Sequence, residues 1–195
     1  MAKEIERDPN NARTEVITGS MLSSFGAYDM ATSHFERANE LSPNKPTLLI
    51  MLGNVLELQG KTEEAREAYK KSYELNKENK DAAAYYASNL IRLGETKIAE
   101  EILIEAFGTT LVDHPRLIQV YYEKKQLLKV VEILKASLEK NPNNFQSRLS
   151  LAAAYVELGQ KSNAIEEIKK AMEINPDFKE QGEYYINEIQ AGRNP

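Results

Sequence analysis

Cysteine and tryptophan are both missing from the 195 residues, and histidine occurs only twice. Without cysteine there can be no disulfide, no thiol nucleophile and no thiolate zinc site. His34 and His114 stand eighty residues apart and form no recognisable metal or triad spacing. No apolar run approaches the roughly 18–20 residues needed to cross a bilayer. Met1–Asp8 is rich in charge and has no apolar stretch, so it does not read as a signal peptide. An excess of positive charge is missing too. The 25 Lys and Arg residues against 30 Asp and Glu leave a formal net charge of −5, which offers no basic footprint for nucleic acid and no attraction to anionic lipid. Nor is there a glycine-rich phosphate loop, a nucleophile elbow or a metal-ligand spacing. The expectation is a chain that is not an enzyme, uses no cofactor or metal, binds no nucleic acid and inserts no segment into a membrane. Lack of cysteine fits a reducing compartment, so the cytoplasm, or the soluble part of a membrane protein, is the expected location.

What the chain does have is a period. Apolar residues make up 42% and charged residues 28%, a folded composition. Four short turns share a pattern: Asp8-Pro9-Asn10-Asn11, Ser42-Pro43-Asn44, Asn141-Pro142-Asn143-Asn144 and Asn175-Pro176-Asp177. Pro9 to Pro43 is 34 residues, and so is Pro142 to Pro176. Pro43 to Pro142 is 99 residues, three short of three full periods, which places a three-residue deletion at Gly108–Thr110. Between the prolyl turns one script recurs. The last copy reads Leu151, Ala152, Tyr155, Gly159, Ala164, Ile168, Ala171, Ile174, and the second reads Leu52, Gly53, Leu56, Gly60, Ala65, Tyr69, Ser72, Leu75. The fourth copy is degenerate, with Ile118 where the others are small and Lys125 where the others have glycine.

These spacings put the repeated residues on one face of each of two helices. Small residues such as Gly53 and Ala65 allow the helices to approach closely, and Tyr69 or Ile168 fill the space between. Gly26, Gly60, Gly94 and Gly159 fall at the helix-to-helix turn, where positive φ is cheap for glycine. No single copy can bury its apolar face alone, so stacking of neighbours must supply the stability.

The script resembles the tetratricopeptide repeat family from about Ala12 to Phe178. The resemblance implies an all-α fold, an α–α superhelix of about five helix–turn–helix repeats with a concave groove. The repeats would occupy residues 12–45, 46–79, 80–110 (short), 111–144 (degenerate) and 145–178. Residues 1–11, with Ile5 at an aliphatic position, read as the remnant of a preceding repeat's helix, so the chain is expected to be cut from a longer protein. Residues 179–195 read as a capping helix and tail, with Tyr185, Ile186 and Ile189 on one face. A missing upstream repeat would leave an apolar face at Val16, Met21 and Leu22, able to support head-to-tail self-association.

In this family the first helix of each repeat lines the groove, and its members bind a protein or peptide segment there. The phase then places Ile50, Asn54 and Glu57, Asp81, Tyr85, Ser88 and Arg92, Arg116, Gln119 and Tyr122, and Gln146, Ser150, Ala153 and Val156 on that face. Asn54, Tyr85, Arg92, Arg116, Gln119 and Tyr122 are the expected partner-binding residues. The resemblance excludes the clamp that holds chaperone tails, since Ile50 and Asp81 stand where that clamp carries lysine. Gly108–Tyr122, Leu149–Gly159 and Tyr184–Gly192 are also similar to the soluble repeat tails of bacterial membrane proteins of the O-antigen ligase or polymerase type. That likeness implies an alternative in which catalysis lies outside this chain. The Tyr85-Tyr86, Tyr121-Tyr122 and Tyr184-Tyr185 pairs are expected to place one ring in the core and one outside. Glu63, Glu64, Glu67, Glu166 and Glu167 read as a solvated outer face with ion pairs such as Glu166–Lys170.

Overall fold

The computed structural model describes residues 11–193. Among them are eleven α-helices and one 3₁₀ turn, and no β-strand, so the all-α expectation holds. Two compact units divide the chain at Thr110–Leu111. In the first, three antiparallel helix pairs follow in order: α1 (Ala12–Ser24) with α2 (Tyr28–Leu41), α3 (Pro46–Leu58) with α4 (Thr62–Leu75), and α5 (Lys80–Leu93) with α6 (Thr96–Phe107). In the second, α7 (Pro115–Glu123) pairs with α8 (Leu127–Lys140) and α9 (Phe145–Glu157) with α10 (Lys161–Ile174). The 3₁₀ turn Pro176–Phe178 and α11 (Lys179–Gln190) follow. Within each unit the main packing partner of a helix is its neighbour in sequence. The expected helix remnant at residues 1–11 lies outside the described residues except for Asn11, whose side chain caps α1 by accepting from the Arg13 amide at 2.9 Å.

One hydrogen bond builds every turn inside a pair. The amide two or three residues past the helix end donates to a carbonyl five residues back: Ala27 to Leu22, Lys61 to Leu56, Glu95 to Leu90, Gln126 to Tyr121 and Gln160 to Tyr155, at 2.8–2.9 Å. Closing this bond requires a left-handed residue at the turn. Gly26, Gly60, Gly94 and Gly159 supply it, with φ between +70° and +90°. In the degenerate pair Lys125 takes the same conformation at φ +57°, so the turn is kept and the strain is accepted. An L-residue there costs about 1–2 kcal/mol, partly offset by the extra chain entropy that glycine loses. Lys125→Gly should therefore stabilise the second unit by about 0.5–1 kcal/mol. A rise in the urea midpoint would register it, and an unchanged or lower midpoint would contradict it.

The helices on either side of Gly108–Thr110 are short. Helix α6 has 12 residues and α7 only 9, against 13 or 14 in the other pairs. Gly108 ends α6 in the left-handed region and Pro115 opens α7. His114 caps α7 by accepting from the Arg116 amide at 3.2 Å.

Close approach within a pair comes from a ring laid over a missing side chain. A Cβ added at Gly19 would stand 2.9 Å from the Phe35 ring, and one at Gly53 would overlap the Tyr69 ring. Ala31, Ala65, Ala99 and Ala164 are wholly buried on the second helices. Two readings of the sequence need correction. Val16 and Leu22 are not an open face: they pack on the cluster of Ala31, Phe35, Ala38, Leu48 and Val55. The exposed apolar side chains of the first pair are Met21, Phe25 and Met30. Glu167, placed on the solvated outer face, is buried. It points to α9 and receives the Arg148 guanidinium at 2.6 Å, which also donates to the Pro142 carbonyl. The neighbouring Glu166 does pair with Lys170, at 2.7 Å.

Candidate functional site

The first helices of the first unit carry a connected row of polar side chains. Asn54 and Glu57 lie one turn apart on α3. Tyr85, Asn89 and Arg92 follow the same stripe of α5, at the i, i+4, i+7 spacing that shares a face. Tyr69 reaches between them from α4. Its hydroxyl donates to Asn54 Oδ1 at 2.7 Å and lies 3.3 Å from Glu57 Oε2. Glu57 Oε1 accepts from Arg92 at 2.5 Å and from Asn89 at 3.0 Å. The side chains of Arg92 and Glu57 are 21% and 8% exposed, so this charge-assisted bond is little screened by solvent and holds both groups in place. The Tyr85 ring packs on Tyr69 with centroids 5.7 Å apart.

Three of the six expected binding residues therefore meet in one network, and its hub is Glu57. Sequence spacing put Glu57 on the right face without marking it as central. Tyr69 was read only as a space filler, because the phase of α4 shows its buried ring and not the direction of its hydroxyl. Two other residues assigned to that face are not available from it. Ile50 is buried, and Ser88 is buried with its hydroxyl turned back to the Tyr85 carbonyl at 2.8 Å.

The other three residues lie on α7 in the second unit. Arg116 Nη1 approaches Gln119 Oε1 at 3.5 Å, and Gln119 donates to Glu123 at 2.9 Å. Tyr122 is half-buried and donates to the Ser150 carbonyl of α9 at 3.3 Å. Burial, with a contribution from the Glu157 carboxylate, pushes its phenol up to about 12, so it stays a neutral donor at any ordinary pH. Tyr122 and Glu157 border a cavity of about 460 Å³ whose other walls come from α9, α10 and α11. A second recess, of about 290 Å³, lies between α7 and α9 and is lined by Gln119, Gln146 and Ser150 among others.

Two of the three tyrosine pairs split as expected. Tyr86 and Tyr121 are buried, whereas Tyr85 and Tyr122 are partly exposed. Tyr184 is exposed, and Tyr185 is only partly buried, its ring tilted against Phe178 with centroids 6.0 Å apart. His34 has a partner that sequence separation hid, Glu15, at 2.5 Å across the first pair. Among the described residues no three His, Asp or Glu side chains gather as metal ligands. None of their helices is long and apolar enough to cross a membrane. The chemistry these two faces offer is hydrogen bonding, ion pairing and apolar contact, with the polar groups already fixed by one another.

Comparison with known proteins supports the repeat reading. A sequence model of the family described as N-acetyltransferase B complex (NatB) non catalytic subunit matches residues 54–174. Tetratricopeptide repeat protein 37 of Xenopus laevis is 29% identical over 153 residues, 75% of this chain and 10% of that protein. The chain thus spans about a tenth of that relative's length. The solved structure of a thermophilic TPR protein from Thermus thermophilus is similar with a TM-score of 0.62 at 20% identity, over 92% of this chain and 99% of that one. YrrB, described as a TPR protein with an unusual peptide-binding site, gives a TM-score of 0.53 at 22% identity over 90% and 92% of the two chains. The fold is that of a tetratricopeptide-type helical-repeat scaffold, a class whose members here are generally non-catalytic.

Proposed function

Starting from the premise that this chain belongs to the family of the N-acetyltransferase B complex (NatB) non-catalytic subunit, a family of tetratricopeptide-like repeats, we propose that it binds a segment of another protein along the face of its first helices. The observation that carries this reading is the Asn54–Tyr69–Glu57–Arg92 row, which runs over two successive helix pairs with each group held by the next. A polar row fixed before binding loses little conformational entropy when a peptide arrives, which is what makes such a surface effective. Asn54, Tyr85 and Arg92 in the first unit and Arg116, Gln119 and Tyr122 in the second are the contact residues. The peptide-binding site named for YrrB is consistent with this use of the fold.

The occupant is not an acidic chaperone tail. Arg92 is already engaged by Glu57, and Glu57 and Asp81 bring negative charge to the face where a carboxylate tail would need cations. Affinity capture from the source cells tests the reading. Wild-type chain retains a partner protein, and Gln119→Arg, at an exposed position, weakens that partner about tenfold, equivalent to about 1.4 kcal/mol. Arg92→Gln weakens it too, with folding checked by circular dichroism. A captured partner whose affinity survives both substitutions would refute the assignment.

A further inference from the structure

The cavity bordered by Tyr122 in the second unit is walled mostly by apolar side chains. Its walls are Leu149, Ala152, Ala153, Val156, Ile168 and Ile189, with the rings of Tyr122 and Tyr185, and its one charged wall residue is Glu157. Two successive alanines on α9 hollow it out. Ala153 is exposed, so the recess opens to the outside rather than into the core. Its volume of about 460 Å³ lies in the range of sites that take bulky apolar groups. Helix α11 supplies Tyr185 and Ile189, which makes the terminal helix a wall of the recess as well as a cover for α10.

Glu157 supplies the charge. Its side chain is exposed at the mouth, and no ion pair to it forms among the described residues. A neighbouring recess of about 230 Å³ shares Val156, Glu157 and Ile189 with it and is also lined by Lys161 and Arg193, the latter taken up by Glu188. A carboxylate on the rim disfavours fatty acids and anionic headgroups and favours a cation beside the apolar group. We propose that this cavity takes a Leu, Ile or Phe side chain from a partner protein segment whose neighbouring Lys or Arg pairs with Glu157. The inference rests on the reading that the chain binds protein segments, and it names the segment's chemistry.

The test is selection of a random peptide display library on the intact chain, followed by fluorescence anisotropy with the selected peptides. Selected peptides carry an apolar side chain within two positions of Lys or Arg. Ala153→Leu fills the recess from an exposed position, leaves the melting curve unchanged and weakens binding tenfold or more. Glu157→Gln weakens it several-fold, a loss that shrinks as salt rises, and Glu157→Lys shifts selection toward Asp and Glu. Selected peptides without the apolar–basic pattern, or with undiminished affinity for Ala153→Leu, overturn the proposal. Peptides indifferent to Ala153→Leu and Glu157→Gln but lost on Gln119→Arg overturn it while leaving the binding function standing, and failure to select any peptide removes both. A dimer of the free chain that Ala153→Leu abolishes would place a second copy in the recess and overturn it as well.

Discussion

Replacing Tyr69 by alanine is expected to destabilise the first unit by about 3–5 kcal/mol, the cost of removing a large buried aromatic ring. Tyr69 is fully buried and lies over Gly53, so the lost ring leaves a void between α3 and α4 that those helices cannot collapse into freely. The reverse defect is Gly53→Ala, whose added Cβ would overlap the same ring and cost about 1–3 kcal/mol by overpacking. The two effects share one volume and are therefore not additive. In the Tyr69→Ala background Gly53→Ala should be neutral, or stabilise by up to about 1 kcal/mol through helix propensity. Urea unfolding of the four variants measures the coupling. If the penalties simply sum, the ring does not sit on the glycine.

Glu57→Leu has the second large effect, about 3 kcal/mol, because it takes a close carboxylate away from a cation that is mostly out of water. Arg92 loses its 2.5 Å partner, Asn89 loses an acceptor, and the Tyr69 hydroxyl keeps only Asn54 among the partners named above. The 21% exposure of Arg92 lets some solvent return, which keeps the figure at the low end. Glu57→Gln retains an acceptor oxygen and should cost about 1 kcal/mol. The decisive variant is Glu57→Leu with Arg92→Leu. A buried ion pair replaced as a whole by apolar groups is often close to neutral, so the double variant should recover most of the loss. Thermal melts of the single and double variants measure this. A double variant no more stable than Glu57→Leu alone would show that the broken Glu57–Arg92 pair was not the cause.

These variants bear on how far residues can be read without coordinates. The helix pairs were legible because their causes are local: glycine at the turn, proline or asparagine at the next helix start, and small and large residues at helical spacing. Counting between prolines pointed to Gly108, where α6 ends with a left-handed glycine. Lys125 was visible as a departure from the glycine pattern, but the same backbone conformation with a lysine in it was not. The candidate face was legible only as a stripe. Which side chains on it engage one another depends on side-chain direction between helices, and periodicity carries none. Glu57 and Glu167 make the point. Both sit in runs that read as solvent-facing or groove-facing, and both turn into guanidinium partners on another helix. The cavity escaped notice for another reason: Ala152 reads as tight packing and Ala153 as one more position on the groove face, and only α11 reveals the space beside them.

Neighbour-to-neighbour packing has a consequence for motion. With no helix depending on one far along the chain, each unit can open in stages, since loss of one pair removes only a single interface from the next. Amide exchange should then be graded along the chain. The α4 and α5 amides, packed from both sides, would exchange more slowly than those of α1, while short α7, with nine residues and few internal bonds to lose, would exchange early. A ligand gripping α7 through Tyr122 would slow that opening, and its arrival could be followed as new protection in one helix.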